Sequence, residues 1–122
     1  MPRRLGDFEQ LILLALTALD EPDAYGVPIR ELIEQRTGRS ISAGAVYTAL
    51  DRLSKRGLVT SRLGEPTAER GGRRKRLYRL EPAGTRELTR SVHALTEMSR
   101  GVLPHLDLTP ADGAPASRPR RR

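Results

Sequence analysis

The sequence predicts a mainly α-helical domain with a small β-hairpin, and three observations support this fold class. Apolar residues recur at helical spacing in several separate segments. Two strand-like segments, 58–63 and 77–80, flank a stretch rich in glycine and basic residues, as in a hairpin with a long tip. The chain has 122 residues, of which 37% are hydrophobic, so we expect one domain with a modest core.

The composition excludes several classes of function. The chain has no cysteine, so disulfides, thiolate metal sites and cysteine nucleophiles are absent. His93 and His105 are its only histidines, and we expect no metal, no cofactor and no enzymatic activity. The apolar run 11–19 is too short for a bilayer span, which needs about 20 residues. We therefore expect a cytoplasmic protein with no membrane partner.

Charge is concentrated in one part of the chain. The net charge is +7 at pH 7, and the segment 62–80 alone carries seven basic and two acidic residues. Such an excess indicates a polyanionic partner, either nucleic acid or an anionic membrane surface.

The first helix is predicted over residues 7–19, where almost every position from 11 onward is apolar. A helix that is apolar all round is buried all round, so we expect a second subunit to cover one side. The second helix is predicted over residues 25–36 and ends at Gly38. Pro28 requires that this helix begins shortly before it or that one hydrogen bond is lost.

The third helix is predicted from a cap at Ser40 or Ser42 to about Arg56. Its buried stripe comprises Val46, Ala49, Leu50 and Leu53. The candidate binding residues at its start and on its outward face are Ser42, Ala43, Gly44, Tyr47, Thr48, Asp51, Arg52 and Lys55.

The hairpin tip holds a second group of candidate binding residues. These are Arg70, Gly71, Gly72, Arg73, Arg74, Lys75 and Arg76. Five positive charges in seven positions repel one another unless phosphates lie opposite them, although charge runs on proteins are usually just solvated.

The last helix is predicted over residues 81–102, with Pro104 as its stop. We divide the chain into a DNA-binding domain (1–80), a dimerisation helix (81–107) and a disordered basic tail rich in proline and arginine (108–122). Three helices, a strand, a basic hairpin, a strand and a helix give the order of a winged helix-turn-helix with an appended helix.

Several motifs in this order resemble the PadR-like family of bacterial transcriptional regulators. They are Tyr25-Gly26, Gly44-Ala45-Val46-Tyr47-Thr48-Ala49-Leu50-Asp51-Arg52-Leu53, Gly57-Leu58-Val59, Gly71-Gly72-Arg73-Arg74-Lys75 and Tyr78-Arg79-Leu80-Glu81-Pro82-Ala83-Gly84. The similarity covers about Leu5 to Val102 and matches the compact branch with a single short C-terminal helix. It implies a homodimeric winged-helix repressor that places its third helix in the DNA major groove and its wing on the backbone.

The third helix would then read DNA with a division of roles. Thr48 and Asp51 could reach base edges, Asp51 by accepting a hydrogen bond from cytosine. Tyr47, Arg52 and Lys55 could reach phosphates. The alternative is an ordinary solvated face in which Asp51 pairs with Lys55 one turn later.

Apolar residues of the first and last helices are the candidate dimer interface. They are Leu11, Leu14, Ala15, Leu88, Val92, Leu95, Met98 and Val102. The alternative, common for such stripes, is that they form the core of a single chain. The resemblance also allows a small apolar effector at the dimer interface, where Leu95 stands at a position that is aromatic in the drug-sensing branch.

The leading hypothesis is a sequence-specific, double-stranded-DNA-binding repressor that acts as a homodimer on an inverted repeat and is released by an effector. Two alternatives stay open: a winged-helix module that binds protein, and a non-specific nucleic-acid-binding protein.

Overall fold

The structure is a computed structural model that describes residues 4–66 and 74–107. Its helices and strands are α1 (Asp7–Ala18), α2 (Gly26–Thr37), α3 (Ala43–Lys55), β1 (Val59–Leu63), β2 (Arg76–Leu80) and α4 (Pro82–Ser99). Short 3-10 turns lie at Glu21–Asp23 and Leu103–His105. The predicted fold class, mainly α with a small hairpin, is confirmed. The predicted disordered tail lies outside the described residues, as does most of the hairpin tip.

Helix α2 begins where its proline fits. Its first backbone hydrogen bond runs from Ile29 N to Tyr25 O over 3.2 Å. Pro28 is the third residue of the helix, and amides of the first turn have no acceptor within the helix. The missing N–H of Pro28 therefore costs no hydrogen bond, and of the two predicted possibilities the start at Gly26 is correct.

Helix α3 is capped by Ser42 rather than Ser40. The Ser42 hydroxyl accepts a hydrogen bond from Ala45 N at 3.0 Å, which satisfies one of the unpaired amides of the first turn. The chain leaves the helix through Gly57, whose φ of 76° is in the left-handed region that favours glycine. The predicted stripe of Val46, Ala49, Leu50 and Leu53 is fully buried.

The hairpin is a two-stranded antiparallel sheet in which Val59 lies opposite Leu80 and Leu63 lies opposite Arg76. Its base is attached to the rest of the domain by backbone contacts. Tyr78 N, in β2, donates to Ala24 O at 2.8 Å, just before α2. This bond fixes the orientation of the hairpin relative to the helices.

The start of α4 is attached to the same sheet. Glu81 N donates to Leu58 O at 2.9 Å. One turn into the helix, Gly84 lies so close to the Leu58 carbonyl that an added Cβ would be 3.0 Å from the carbonyl carbon and nearer still to its oxygen. Because only glycine fits there, Gly84 sets the distance between α4 and the sheet.

Helix α4 ends earlier than predicted. The last helical residue is Ser99, and Gly101, with a φ of 74°, turns the chain away. Pro104 lies within the following 3-10 turn and is not the stop. Val102 consequently lies beyond the helix and not on its seam.

The core of the single chain is built from all four helices and the sheet. Buried residues from α1 are Ile12, Leu13, Ala15 and Leu16. The single chain covers α1 on one side only, because Leu14 is 43% exposed. The expected cover on the other side, by a second subunit, stays a prediction. None of the helices in the described part of the chain is long and apolar enough to cross a bilayer.

Two residues predicted for the dimer interface belong to this core. Ala15 is 4% exposed and Leu88 is 7% exposed, and both pack in the hydrophobic cluster of the single chain. For these two residues the alternative of an intrachain core is correct, because the parts of α1 and α4 that carry them pack against their own domain.

Candidate nucleic-acid interface

The outward face of α3 is exposed along its whole length. All eight candidate binding residues from Ser42 to Lys55 are exposed, while the opposite stripe of the same helix is buried. Helical periodicity therefore separated the two faces correctly. What the exposed face contacts is not decided by exposure alone.

The N-terminal end of this face is narrow. In the described part of the chain, no heavy atom outside the helix backbone and the two adjacent residues lies within 4 Å of the point where a Cβ on Gly44 would be. Ala43 and Gly44 have almost no side chain, and the Ser42 hydroxyl is turned back onto the helix as its cap. A large, flat ligand can therefore approach the backbone of this turn closely.

The middle of the face carries an ion pair. Lys55 Nζ lies 3.0 Å from Asp51 Oδ2, with the two side chains 77% and 62% exposed. This is the pairing that the solvated-face alternative predicts. Exposed i,i+4 pairs contribute only about 0.3–0.5 kcal/mol, so both charges can still exchange this partner for another.

Tyr47 leans from α3 onto the start of α2. A Cβ on Gly26 would lie 2.5 Å from Tyr47 Cζ, so the phenol ring occupies the space that a side chain at this position would need. Tyr47 is nevertheless 46% exposed. The contact orients the ring and leaves one side of it open to solvent.

Tyr78 of β2 is a hairpin residue that is electrostatically coupled to α3. Burial raises the pKa of its phenol above the ordinary value; Arg76 lowers that pKa, and Tyr47 and Asp51 raise it further. Two side chains on the outward face of α3 thus act on a residue of the hairpin. The sequence signalled Tyr78 only as part of a motif and gave it no site role.

The described part of the basic hairpin begins at Arg74. Arg74 and Arg76 are exposed, and Arg76 Nη1 donates to Ser61 Oγ at 3.1 Å. Lys75 between them is half-buried, with its Nζ 5.0 Å from the centroid of the Tyr25 ring. The other predicted residues of the tip, Arg70, Gly71, Gly72 and Arg73, lie outside the described residues.

Arg4 is a basic residue of this surface that the sequence reasoning missed. It lines an open cleft between the start of α1 and α3, together with Thr48 and Arg52. The paired basic residues at the start of the sequence were a signal for it.

A second exposed surface is apolar and lies along α4. Exposure rises steadily from the core outward: Leu88 is 7% exposed, Val92 37%, Leu95 64% and Met98 79%. Leu14 and Val102 add exposed apolar area, and Leu11 is half-buried. The last helix thus leaves its own domain with its apolar seam uncovered.

The family model for "Transcriptional regulator PadR-like family" matches residues 15–90 of this chain. The matched stretch is more than half of the sequence and contains α3, the hairpin and the start of α4. The chain belongs to the PadR-like family. This family consists of transcriptional regulators and not of enzymes, in agreement with the absence of a predicted catalytic site.

Two curated proteins are similar to this PadR-like chain. An uncharacterised 37.1 kDa protein in a transposon of Streptomyces fradiae is 36% identical over 99 residues, which are 81% of this chain and 26% of that protein. A transcriptional regulator of Mycobacterium tuberculosis is 40% identical over 68 residues, which are 56% of this chain and 60% of that one. The chain therefore spans about a quarter and three-fifths of the lengths of these relatives.

Solved structures share the PadR-like fold. A PadR family transcription regulator from Clostridium difficile superposes with a TM-score of 0.68 at 22% identity, covering 84% of this chain and all of that one. Bacillus subtilis PadR, solved in complex with operator DNA, gives a TM-score of 0.60 at 22% identity over 71% of this chain and 48% of its own. At these identities the likeness shows the fold.

A cleft within one PadR-like protomer lies between α1, the hairpin and α4. Its volume is about 540 Å³, with leucines on its floor and the Glu21–Arg62 ion pair at its edge. The hydrogen bond and charge of Arg62 lower the pKa of Glu21. This cleft does not include Leu95, so it is separate from the predicted effector position at the dimer interface.

The described residues contain no group of side chains suited to a metal ion.

Proposed function

We propose that this protein is a dimeric transcriptional repressor that binds an inverted-repeat DNA operator. The observation that carries the proposal is the outward face of α3, where all eight candidate residues are exposed, together with the exposed Arg74 and Arg76 of the hairpin. The Bacillus subtilis relative was solved with operator DNA, which supports the same partner here. A cytoplasmic location goes with this proposal.

Each part of the surface has a role in DNA binding. The narrow turn at Ala43 and Gly44 lets α3 enter the major groove with its N-terminal end first. Thr48 and Asp51 follow on the same face and reach base edges. Arg52, Lys55 and Tyr47 flank them, at positions suited to phosphates.

The hairpin supplies sequence-independent affinity. Arg74 and Arg76 are exposed at the tip end of β2, and both follow Arg70 and Arg73 along the chain. Each Arg or Lys that neutralises a phosphate releases counterions and adds about 0.9 to the slope of log affinity against log salt concentration. This term positions the protein on the duplex without reading its sequence.

The uncovered seam of α4 is the proposed interface between two copies. Val92, Leu95 and Met98 form its centre, with Leu14 and Val102 at its margin. A twofold arrangement would place two recognition helices one DNA turn apart, about 34 Å. An effector bound near Leu95 would favour a spacing of the two α3 helices that no longer matches the groove, which shifts the population to the unbound form.

The experiment that tests this proposal uses a DNA fragment from upstream of the protein's own gene. Binding is measured by fluorescence anisotropy at two salt concentrations, with and without excess random competitor DNA. Retention on the fragment supports a repressor. Equal loss to competitor indicates a non-specific nucleic-acid-binding protein, and no binding at low salt indicates a protein-interaction module.

Matched variants divide the surface into its two roles. Thr48→Ala and Asp51→Ala should change the preference between operator and random DNA. Arg74→Ala with Arg76→Ala should weaken binding to both alike and flatten the salt dependence. Equal loss on both DNAs for the α3 variants would contradict the role given to that face.

A further inference from the structure

Lys75 is the residue of the basic run that the described structure turns toward the protein itself. Arg74 and Arg76 beside it are exposed, whereas Lys75 is half-buried. Its Nζ lies 5.0 Å from the centroid of the Tyr25 ring, a distance typical of a cation–π contact. Its charge therefore has a partner before any DNA arrives.

Tyr25 and Lys75 belong to two segments whose relative position sets the orientation of the wing. Tyr25 immediately precedes α2, and Lys75 immediately precedes β2, where the chain returns from the hairpin tip. Lys75 O also accepts a hydrogen bond from Gly64 N at 2.7 Å, one residue beyond the Leu63–Arg76 pair and toward the tip. The lysine thus stands at the point from which the tip extends.

We propose that Lys75 is a positioning residue, whose contact with the Tyr25 ring fixes the angle between the wing and the recognition helix α3, rather than a phosphate contact. This inference rests on the proposed DNA-binding function. The backbone bond from Tyr78 N to Ala24 O holds the strand itself. The Lys75 side chain adds a separate attachment closer to the tip.

The hairpin is held at several points: the Tyr78–Ala24 bond, the Glu81–Leu58 bond and the Glu21–Arg62 ion pair. The Lys75–Tyr25 contact lies closer to the tip than any of these. It restricts that end of the strands in the unbound protein, so less ordering is left to occur on DNA. Loss of the contact should weaken binding to operator and to random DNA alike, because it acts on the wing as a whole.

The test compares a charge removal with a ring removal. Lys75→Gln and Tyr25→Leu should each weaken binding about two- to fivefold per half-site, the range expected from one exposed cation–π contact. Together they should weaken it no more than either alone. Tyr25→Phe and Lys75→Arg should bind normally, because each keeps a ring or a cation in place.

A phosphate contact gives a different result in the same measurements. Tyr25 carries no charge, so Tyr25→Leu would then leave the salt slope unchanged while Lys75→Gln lowers it by about 0.9 per protomer. The two losses would also add in the double variant. Either outcome would overturn the proposal.

Lys55 is the matched control, since Lys55 and Lys75 are the only lysines of the chain. Lys55→Gln should add its full effect to that of Tyr25→Leu. Having only two lysines also makes their side-chain NMR signals easy to assign. The Lys75 Hε signal should be shifted upfield from that of Lys55 by the Tyr25 ring current, and the shift should vanish in Tyr25→Leu.

The NMR measurement keeps the proposal testable without DNA. Coincident Hε signals for the two lysines would overturn it, even if Tyr25→Leu failed to fold. A wild-type protein that ignored its upstream fragment would instead overturn the proposed function, and the positioning role with it. The ring-current shift would persist in that case, so the two failures are distinguishable.

Discussion

The phenol ring of Tyr47 packs directly on the backbone of Gly26. A Cβ at position 26 would lie 2.5 Å from Tyr47 Cζ and 2.8 Å from Cε1, so a side chain there and the observed ring position exclude each other. The contact joins α3 to the first residue of α2. It makes a glycine at the start of one helix responsible for a side-chain orientation on another.

Gly26→Ala should therefore alter DNA binding more than folding. The Tyr47 ring is half-exposed and can swing away, so the free energy of unfolding should change by no more than about 1 kcal/mol. If the outward face of α3 binds DNA as proposed, operator affinity should fall, because the displaced phenol leaves its place on that face. Chemical denaturation and fluorescence anisotropy on the operator measure the two quantities.

A double-mutant cycle shows whether Gly26 acts through Tyr47. In a Tyr47→Ala background, adding Gly26→Ala should leave operator affinity unchanged, since the ring is already gone. Independent, additive losses would mean that the backbone at position 26 itself contacts DNA and that the packing contact is incidental.

Local signals in the sequence were sufficient for most element boundaries. Ser42 and Gly57 delimit α3 as a cap and a left-handed turn, and the paired strands begin within one residue of the prediction. The exception is the end of α4, where Gly101 ends the helix before Pro104 can. Either residue can stop a helix, and the first along the chain is the one that does.

Periodicity fixed which face of a helix is apolar but not what covers it. Along α4 the same stripe changes from 7% exposed at Leu88 to 79% at Met98, because the helix extends past the domain on which it starts. The helical spacing of three or four residues continues along the stripe, so the sequence carries no mark of this transition. Ala15 was assigned to the dimer interface for the same reason.

Contacts between elements that are distant in the sequence could not be predicted from the sequence either. Lys75 was grouped with its arginine neighbours by charge, and nothing at position 75 indicates the Tyr25 ring fifty residues earlier. The outward face of α3 could be predicted because a single helix defines it. The junction that orients this face and the hairpin arises from folding, and only the structure displays it.

Gly84→Ala should be strongly destabilising. The added Cβ meets the Leu58 carbonyl, which is backbone and cannot rotate away. Either α4 shifts outward or the Glu81–Leu58 hydrogen bond breaks. Overpacking of this kind costs typically 1–3 kcal/mol, and we expect the upper part of that range or more. Urea denaturation measures the loss, and an unchanged midpoint would show that the α4–sheet contact is looser than described.

Leu95→Glu should separate the two copies. A carboxylate at the centre of the proposed apolar interface would be desolvated without a partner. The dissociation constant of the dimer should therefore rise by about 100-fold or more. Analytical ultracentrifugation at micromolar concentration measures it. His93→Glu is the control, because His93 is exposed on another side of α4. A Leu95→Glu protein that stayed dimeric would show that the interface lies elsewhere.

Tyr78 should make folding sensitive to alkaline pH. Its pKa is raised by burial, so the folded state favours the neutral phenol. That contribution is complete below the pKa of the unfolded chain and is lost as the pH rises toward the folded value. Absorbance titration at alkaline pH should show a phenol that ionises above the ordinary tyrosine range, and Tyr78→Phe should remove that step. A wild-type titration without such a step would contradict the burial.

Gly44→Ala should impair DNA binding and not folding. Gly84→Ala is its counterpart, because it should impair folding. Among the described residues, no atom outside the helix backbone and the two chain neighbours lies within 4 Å of the added methyl group, and alanine is the better helix former. The variant should be as stable as the wild type or more stable by about 0.4–1 kcal/mol. If α3 enters the groove by its N-terminal turn, the methyl group meets DNA, and operator affinity should fall by about 1–3 kcal/mol, as for one disrupted base contact. Unfolding and anisotropy measured side by side give both numbers. A stabilised variant with full operator affinity would mean that this turn does not approach the bases.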